Sequence, residues 1–280
     1  MKGAETASES LTPKSGVHPS NSGLPEKFNQ RRLVTMPNWV KTIVNISGER
    51  SELEKLQEFV RSENSVFSFN KIIPMPEELN MVSGGLQYEY VQCYINSLSK
   101  REAESLKQKL SQCRCFFYGN YYNKFFDNKR EIDEDMMRRL ENNIASYPNL
   151  KDKSVTGIGK QYVENVLKYG TDSWYDWCCE NWDTKWDACD ASLSDAGQNT
   201  ICYEFDTAWS LAEAPLRKLL QLFPSISIYG VFADEDLGTN CGSFDTTEHM
   251  LFVEYENTLE RACDVWGYDI DEIKAEYNAC

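Results

Sequence analysis

The stretch 200–256 restricts the fold more than any other part of the chain. The run TICYEFDTAW at 200–209 alternates Ile201, Tyr203 and Phe205 against Cys202, Glu204 and Asp206. That is the period of a strand with one buried and one wetter face. A helix is predicted next, with Leu216, Leu219, Leu220 and Phe223 on its apolar side. Pro215 suits its first turn, and Ser210 is placed to cap it. ISIYGVFA at 226–233 and HMLFVEYE at 249–256 read as two more strands, joined by the turn-rich DEDLGTNCGSFD. Upstream, WVKTIVNIS at 39–47 is a β-branched strand. A helix carrying Leu53, Leu56, Phe59 and Val60 follows it, and Ser51–Glu54 has the form of a capping box. Half-buried strands need a helical layer over their apolar face. The order therefore predicts an α+β fold: a ferredoxin-like antiparallel sheet with helices packed on one face.

The rest of the chain adds a mainly helical insertion and a helical C-terminal tail. Residues 1–35 are rich in Ser, Pro and Gly and read as a disordered leader, and the folded signal begins right after Met36, which makes that methionine an alternative start to Met1. Residues 36–280 are expected to be one α+β domain, with the insertion at about 81–150 and the tail at about 257–280. Pro74 and Pro76 forbid a regular element where they stand. The insertion carries a charged helix at 99–112, the aromatic run CRCFFYGNYYNKFF and a helix with Met136, Met137, Leu140 and Ile144. Residues 157–182 read as helical and end among Trp174, Trp177 and Trp182.

Charge is divided unevenly along the chain. Residues 1–170 hold 24 Lys and Arg against 21 Asp and Glu, a net of +3. Residues 171–280 hold 5 against 23, a net of −18. The acidic part is also rich in Trp, Tyr and Phe, unlike an acidic solvating tail. This balance opposes a general phosphate-backbone binder and fits either an ordinary solubilising surface or one that meets a basic partner.

The ten cysteines contain no C-x-x-C pair, and His18 and His249 are the only histidines, so a structural zinc site is not expected. No apolar segment has the length of a membrane span, and the N-terminus lacks the apolar core of a secretory signal. The expected setting is cytoplasmic, with reduced thiols. Gly157-Ile158-Gly159-Lys160 lacks the spacing of a P-loop.

Several stretches together resemble a known family. They are Met36-Pro37-Asn38-Trp39, Phe69-Asn70-Lys71-Ile72-Ile73-Pro74-Met75-Pro76, Trp174-Tyr175-Asp176-Trp177, Asn181 to Asp187, Phe205-Asp206-Thr207-Ala208-Trp209-Ser210 and Ala233 to Asp236. The chain resembles the YubB-type ferredoxin-like domain family, which is carried by phages, plasmids and other mobile elements of bacteria. The resemblance covers roughly 36–80 and 157–256. It implies a fold and a genetic setting, with no catalytic residues to carry over.

Three groups of residues are candidates for function. Asp183, Lys185, Trp186 and Asp187 combine rings, a cation and carboxylates, the mixture favoured at recognition hot spots, although Trp rings at 174, 177, 182 and 186 equally suit a helix-on-sheet core. Asp234, Glu235 and Asp236 precede Gly238 and Asn240 in a turn. They read as turn or capping carboxylates of a solvated strand-end loop, or as ligands for a divalent cation, although the EF-hand spacing is not met. Tyr121 and Tyr122 lie beside Lys124 and could contact a partner. No catalytic set and no cofactor are expected. The favoured function is a non-enzymatic protein-binding factor of a mobile element, acting on a basic host protein such as an antiphage nuclease complex. Oligomerisation through the insertion or tail would enlarge its surface. The alternative is a metal-dependent enzyme acting on a nucleotide or nucleic acid through Asp206, Asp234, Glu235 and Asp236.

Overall fold

The computed structural model describes residues 38–113, 124–126 and 130–278. Strand β1 (Trp39–Ser47) forms where β-branched residues alternate: Val40, Thr42, Val44 and Ile46 are fully buried, and their neighbours half-buried. Helix α1 (Arg50–Val60) adds Leu53, Leu56 and Val60 to the same apolar core. The expected capping box at Ser51–Glu54 is replaced by an earlier start. Arg50 opens the helix after an extended Glu49, so Ser51 already lies inside the first turn. A short helix α2 (Phe69–Ile72) follows.

Four helices then build a second apolar cluster: α3 (Gln87–Ser97), α4 (Lys100–Ser111), α5 (Glu134–Ser146) and α6 (Val155–Tyr169). Tyr90, Val91, Ile95, Leu140, Ile158 and Val163 are at its centre. Here a true capping box does form: the Ser99 hydroxyl accepts from the Glu102 N–H, and the Glu102 carboxylate accepts from the Ser99 N–H. Helix α6 ends at Gly170, whose φ of 82° is the left-handed stop that glycine favours. The helical stretch expected at 157–182 is thus two helices. The second, α7 (Trp174–Trp182), follows a buried turn in which Asp172 accepts from Gln87 and Ser173.

The sheet continues with β2 (Cys189–Gly197) and β3 (Thr200–Ala208), then α8 (Glu213–Leu222), β4 (Ser227–Asp234), β5 (Cys241–Thr247) and β6 (Met250–Tyr255). Its six strands lie in the order β2-β3-β1-β4-β5-β6, with every neighbouring pair antiparallel. The path β1–α1–β2–β3–α8–β4 with β1 between β3 and β4 is ferredoxin-like, and the β5–β6 hairpin widens it. Leu216, Leu219 and Leu220 of α8 join Ile201, Tyr203, Phe205, Ile228 and Phe232 in one core with α1. Within it, Phe67 stacks on Phe205 at 5.1 Å and Phe69 meets Phe205 edge-on at 5.5 Å. Helix α9 (Leu259–Trp266) crosses the opposite face beside β4, where the Lys41 ammonium sits 5.1 Å from the Trp266 ring. Residues 268–278 form a separate unit containing α10 (Ile270–Asn278), whose first N–H groups donate to the Asp269 carboxylate.

Two strands depart from the sequence expectation. CDASLSDAG pairs as β2 although it is poor in the residues strands favour, because β3 supplies a ready template at the sheet edge. CGSFDTT, expected to be part of a loop, is β5. Its turn to β6 uses Glu248 and His249, both at positive φ (51° and 62°), in place of the usual Asn-Gly. The eight described cysteines are free thiols, four of them buried. Burial pushes Cys178 up to about 12 and Cys189 up to about 11, which keeps both thiols protonated and unreactive at neutral pH. Among the described residues, no helix is long and apolar enough to cross a membrane.

Candidate binding site

The turn between α7 and β2 is pinned at three points. Asp183, left-handed at φ 59°, accepts the Ala214 N–H of α8 at 2.7 Å. Thr184 is buried and exchanges two hydrogen bonds with the Ala208 backbone, at 2.9 and 3.0 Å. Asp187 accepts from the Ser68 hydroxyl at 2.6 Å and from the N–H groups of Phe69 and Ala188 at 2.5 and 2.8 Å. These anchors fix the loop that carries the half-buried Lys185 and Trp186. Asp183 also replaces Ser210 as the group that satisfies the α8 N-terminus; the Ser210 hydroxyl instead donates to the Asp183 carbonyl. Burial raises the pKa of Asp183, and the Ala214 N–H opposes that rise.

Trp209, just past β3, completes the site. The residue is 41% exposed and its φ is 71°. A bulky residue in the left-handed region is a genuine outlier, with strain of roughly 1–2 kcal/mol that the surroundings must hold. They do so from both sides: the Trp209 N–H donates to the Asn38 carbonyl at 2.9 Å, and its carbonyl accepts from Asn240 at 3.0 Å. Three rings then face one ammonium. Lys185 Nζ lies 4.2 Å from the Trp186 ring centre, 5.2 Å from Trp209 and 5.6 Å from Tyr175. Trp39 extends the aromatic surface, 5.7 Å from Trp186. Lys185 and Trp186 are legible in the sequence as site residues, whereas Tyr175, Trp209 and Trp39 join them only through the fold. The one signal available was a Trp closing an alternating strand.

The carboxylate turn supports this site from beneath. Asp234 accepts from the Asp236 N–H at 2.8 Å and from Asn240 and Asn38 at 3.3 Å, so it fastens the same Asn240 that holds Trp209. Burial raises its pKa against those donors. The Glu235 N–H donates to the Trp39 carbonyl. Asp206 lies apart from this turn. It pairs with Lys41 across β1, whereas Asp234 pairs with Val40. Strand alternation therefore puts the Asp206 and Asp234 side chains on opposite faces of the sheet. Among the described residues, no three His, Cys, Asp or Glu side chains gather in a manner that would hold a metal. Tyr121 and Tyr122 lie outside the described residues.

Asp206 has its own electrostatic signature. Burial pushes its pKa up to about 6; Lys41 opposes this, while Asp190 and Glu204 add to it. A folded-state pKa above the unfolded value means that the ionised group weakens the fold at neutral pH. That penalty disappears as pH falls below about 4, where the carboxyl is protonated in both states. Asp206→Asn is expected to stabilise the protein by about 1 kcal/mol at pH 7.5, with the gain shrinking toward pH 4. Urea unfolding at both pH values measures it. Equal or lower stability of the variant at pH 7.5 would contradict the assignment.

Fold and site together define a ferredoxin-like α+β domain with an aromatic cluster around Lys185 next to the end of β3. Residues 181–278 match the family model described as the ferredoxin-like domain in Api92-like protein. That span holds β2, β3, β4, β5 and β6, while the strand between β3 and β4 comes from residues 39–47, upstream of the match. A crystal structure of protein api92 from Yersinia pseudotuberculosis is similar to the chain at 11% identity, covering 79% of this chain and 99% of that one with a TM-score of 0.38. No curated protein matches the chain. A ferredoxin-like domain was the fold expected from the sequence resemblance, and an Api92-like one is what the family model finds.

Proposed function

We propose that the chain is a non-enzymatic protein-binding factor whose acidic, aromatic surface docks a basic protein. The observation that carries this reading is Trp209, exposed and left-handed beside Lys185 and Trp186 on their pinned loop. Backbone strain held under an exposed ring serves display better than packing. Trp and Tyr suit a protein contact because each buries a large area at little entropic cost. The charge of −18 over residues 171–280 fits a basic partner and would speed encounter. The resemblance to proteins of bacterial mobile elements suggests the setting: the cytoplasm of a bacterial host, with a nuclease-type antiphage complex as partner. Such a complex needs a basic groove for nucleic acid, and an acidic protein can occupy it.

Asp183, Asp187 and Asp234 direct their oxygens at N–H donors of the chain itself, which favours protein recognition over the metal-dependent alternative. The test is capture of host proteins by the wild type and by Trp209→Gly. Glycine relieves the left-handed strain while removing the ring's contacts, so the variant is expected to stay within about 1 kcal/mol of wild-type stability. Truncating a core tryptophan would instead cost about 3–5 kcal/mol. The variant should lose the captured protein, and raised salt should release it from the wild type. Capture unchanged by Trp209→Gly, or insensitive to salt, would overturn the reading.

A further inference from the structure

We propose that the box of Tyr175, Trp186 and Trp209 is a recognition site for an arginine side chain, occupied in the free chain by Lys185. This rests on the reading that the surface takes a basic protein. The three rings come from separate segments: α7, the turn after it, and the residue following β3. Their faces carry the negative side of the ring quadrupole, and together they surround a single ammonium.

The surroundings explain why Lys185 relies on rings. Asp183 and Asp187 lie two residues to either side of it, yet their oxygens already accept backbone N–H groups of Ala214, Phe69 and Ala188. Among the described residues, no carboxylate oxygen comes within 4.0 Å of the Lys185 ammonium. Asp176 and Glu180 raise the pKa of the nearby Cys179 thiol, and the Lys185 charge lowers it. The box thus holds its cation by ring faces, with no carboxylate partner among the described residues.

Lysine is a poor permanent occupant. Its ammonium is strongly hydrated, and its four-carbon stem can swing into solvent. A guanidinium is flatter, less hydrated and stacks on rings, so an arginine of the partner has the better fit. Lys185 and an incoming arginine repel each other and cannot share the box. Lys185 therefore acts as an internal competitor at the high effective concentration of a tethered group. It keeps the rings covered until a partner with enough basic charge arrives, and it sets a threshold against weakly basic proteins.

The test uses methylguanidinium chloride, with sodium chloride at matched ionic strength as control, and reads the indole N–H resonances of Trp186 and Trp209. Lys185→Met is expected to bind the probe about tenfold more tightly than the wild type. Lys185→Gln, which keeps a polar end group, should do the same. Adding Trp209→Ala to either variant should abolish saturable binding. If neither variant binds more tightly than the wild type, or if binding survives Trp209→Ala, the proposal is overturned. This assay contains no partner protein. Failure here together with salt-sensitive, Trp209-dependent capture would remove the box while leaving the basic-partner reading intact.

Discussion

Replacing Asp187 with alanine is expected to cost about 3 kcal/mol of stability, since it strips three donors of one shared acceptor. The Ser68 hydroxyl, the Phe69 N–H and the Ala188 N–H all point at this carboxylate. Ser68 is buried, and Phe69 is packed against Phe205 and Trp182, so water cannot readily replace the lost oxygens. Buried donors left without acceptors carry their full desolvation penalty. Asp187→Asn keeps one carbonyl oxygen and should lose roughly half as much. Urea denaturation at neutral pH separates the two variants. A loss under about 1 kcal/mol for the alanine variant would mean that the donors find other partners. The consequence reaches the surface as well. Asp187 is one of three pins under Lys185 and Trp186, so the alanine variant should also weaken partner capture without any change in the aromatic residues themselves.

This double role shows where sequence reading stopped. The alternation in β1 and β3, the leucine stripe of α8 and the order of elements were enough for a ferredoxin-like sheet, because those signals are local and periodic. β2 and β5 escaped because neither owes its conformation to its own residues. β2 is small and polar and forms against β3, and β5 is revealed only by its pairing with β4 and by the Glu248–His249 turn. The site was half legible. Asp183, Lys185, Trp186 and Asp187 stood out as a charged aromatic cluster, but their division of labour did not. The two aspartates and the buried Thr184 hold the chain, and Lys185 and Trp186 between them stay half-exposed. That division depends on Ser68 and Ala214, distant in sequence, and no local pattern announces it. Trp209 was visible as a residue type, while its positive φ was not, because nothing in TICYEFDTAW asks for a left-handed turn. The carboxylates of Asp206 and Asp234 looked like one set in sequence and are divided by the alternation of the sheet.

Gly159 is where the largest loss is expected: Gly159→Val should destabilise the helical cluster by about 4 kcal/mol. In sequence, Gly157-Ile158-Gly159-Lys160 resembled a failed phosphate loop. In the structure it lies in α6, and Gly159 is where that helix touches α3. A Cβ built on Gly159 would stand 2.0 Å from the Tyr90 carbonyl oxygen and 2.6 Å from its carbonyl carbon. Backbone cannot swing aside as a side-chain tip can, so any larger residue must push the two helices apart. Tyr90, Val91 and Ile95 on α3 pack with Ile158, Tyr162 and Val163 on α6, and this whole interface would open. The Tyr90 hydroxyl also donates to the Leu140 carbonyl at 2.8 Å, so displacement of α3 would carry into α5. Gly159→Ala meets the same carbonyl and should lose about 2 kcal/mol despite alanine's better helix propensity. Gly157 provides the contrast. A Cβ there would meet only the Ser154 hydroxyl at 2.9 Å, a group that can rotate. The propensity gain of about 1 kcal/mol offsets the disturbed cap, leaving Gly157→Ala close to neutral. Thermal unfolding followed by circular dichroism distinguishes the two positions. Equal melting of Gly157→Ala and Gly159→Ala would show that the close crossing of α3 and α6 does not limit this fold.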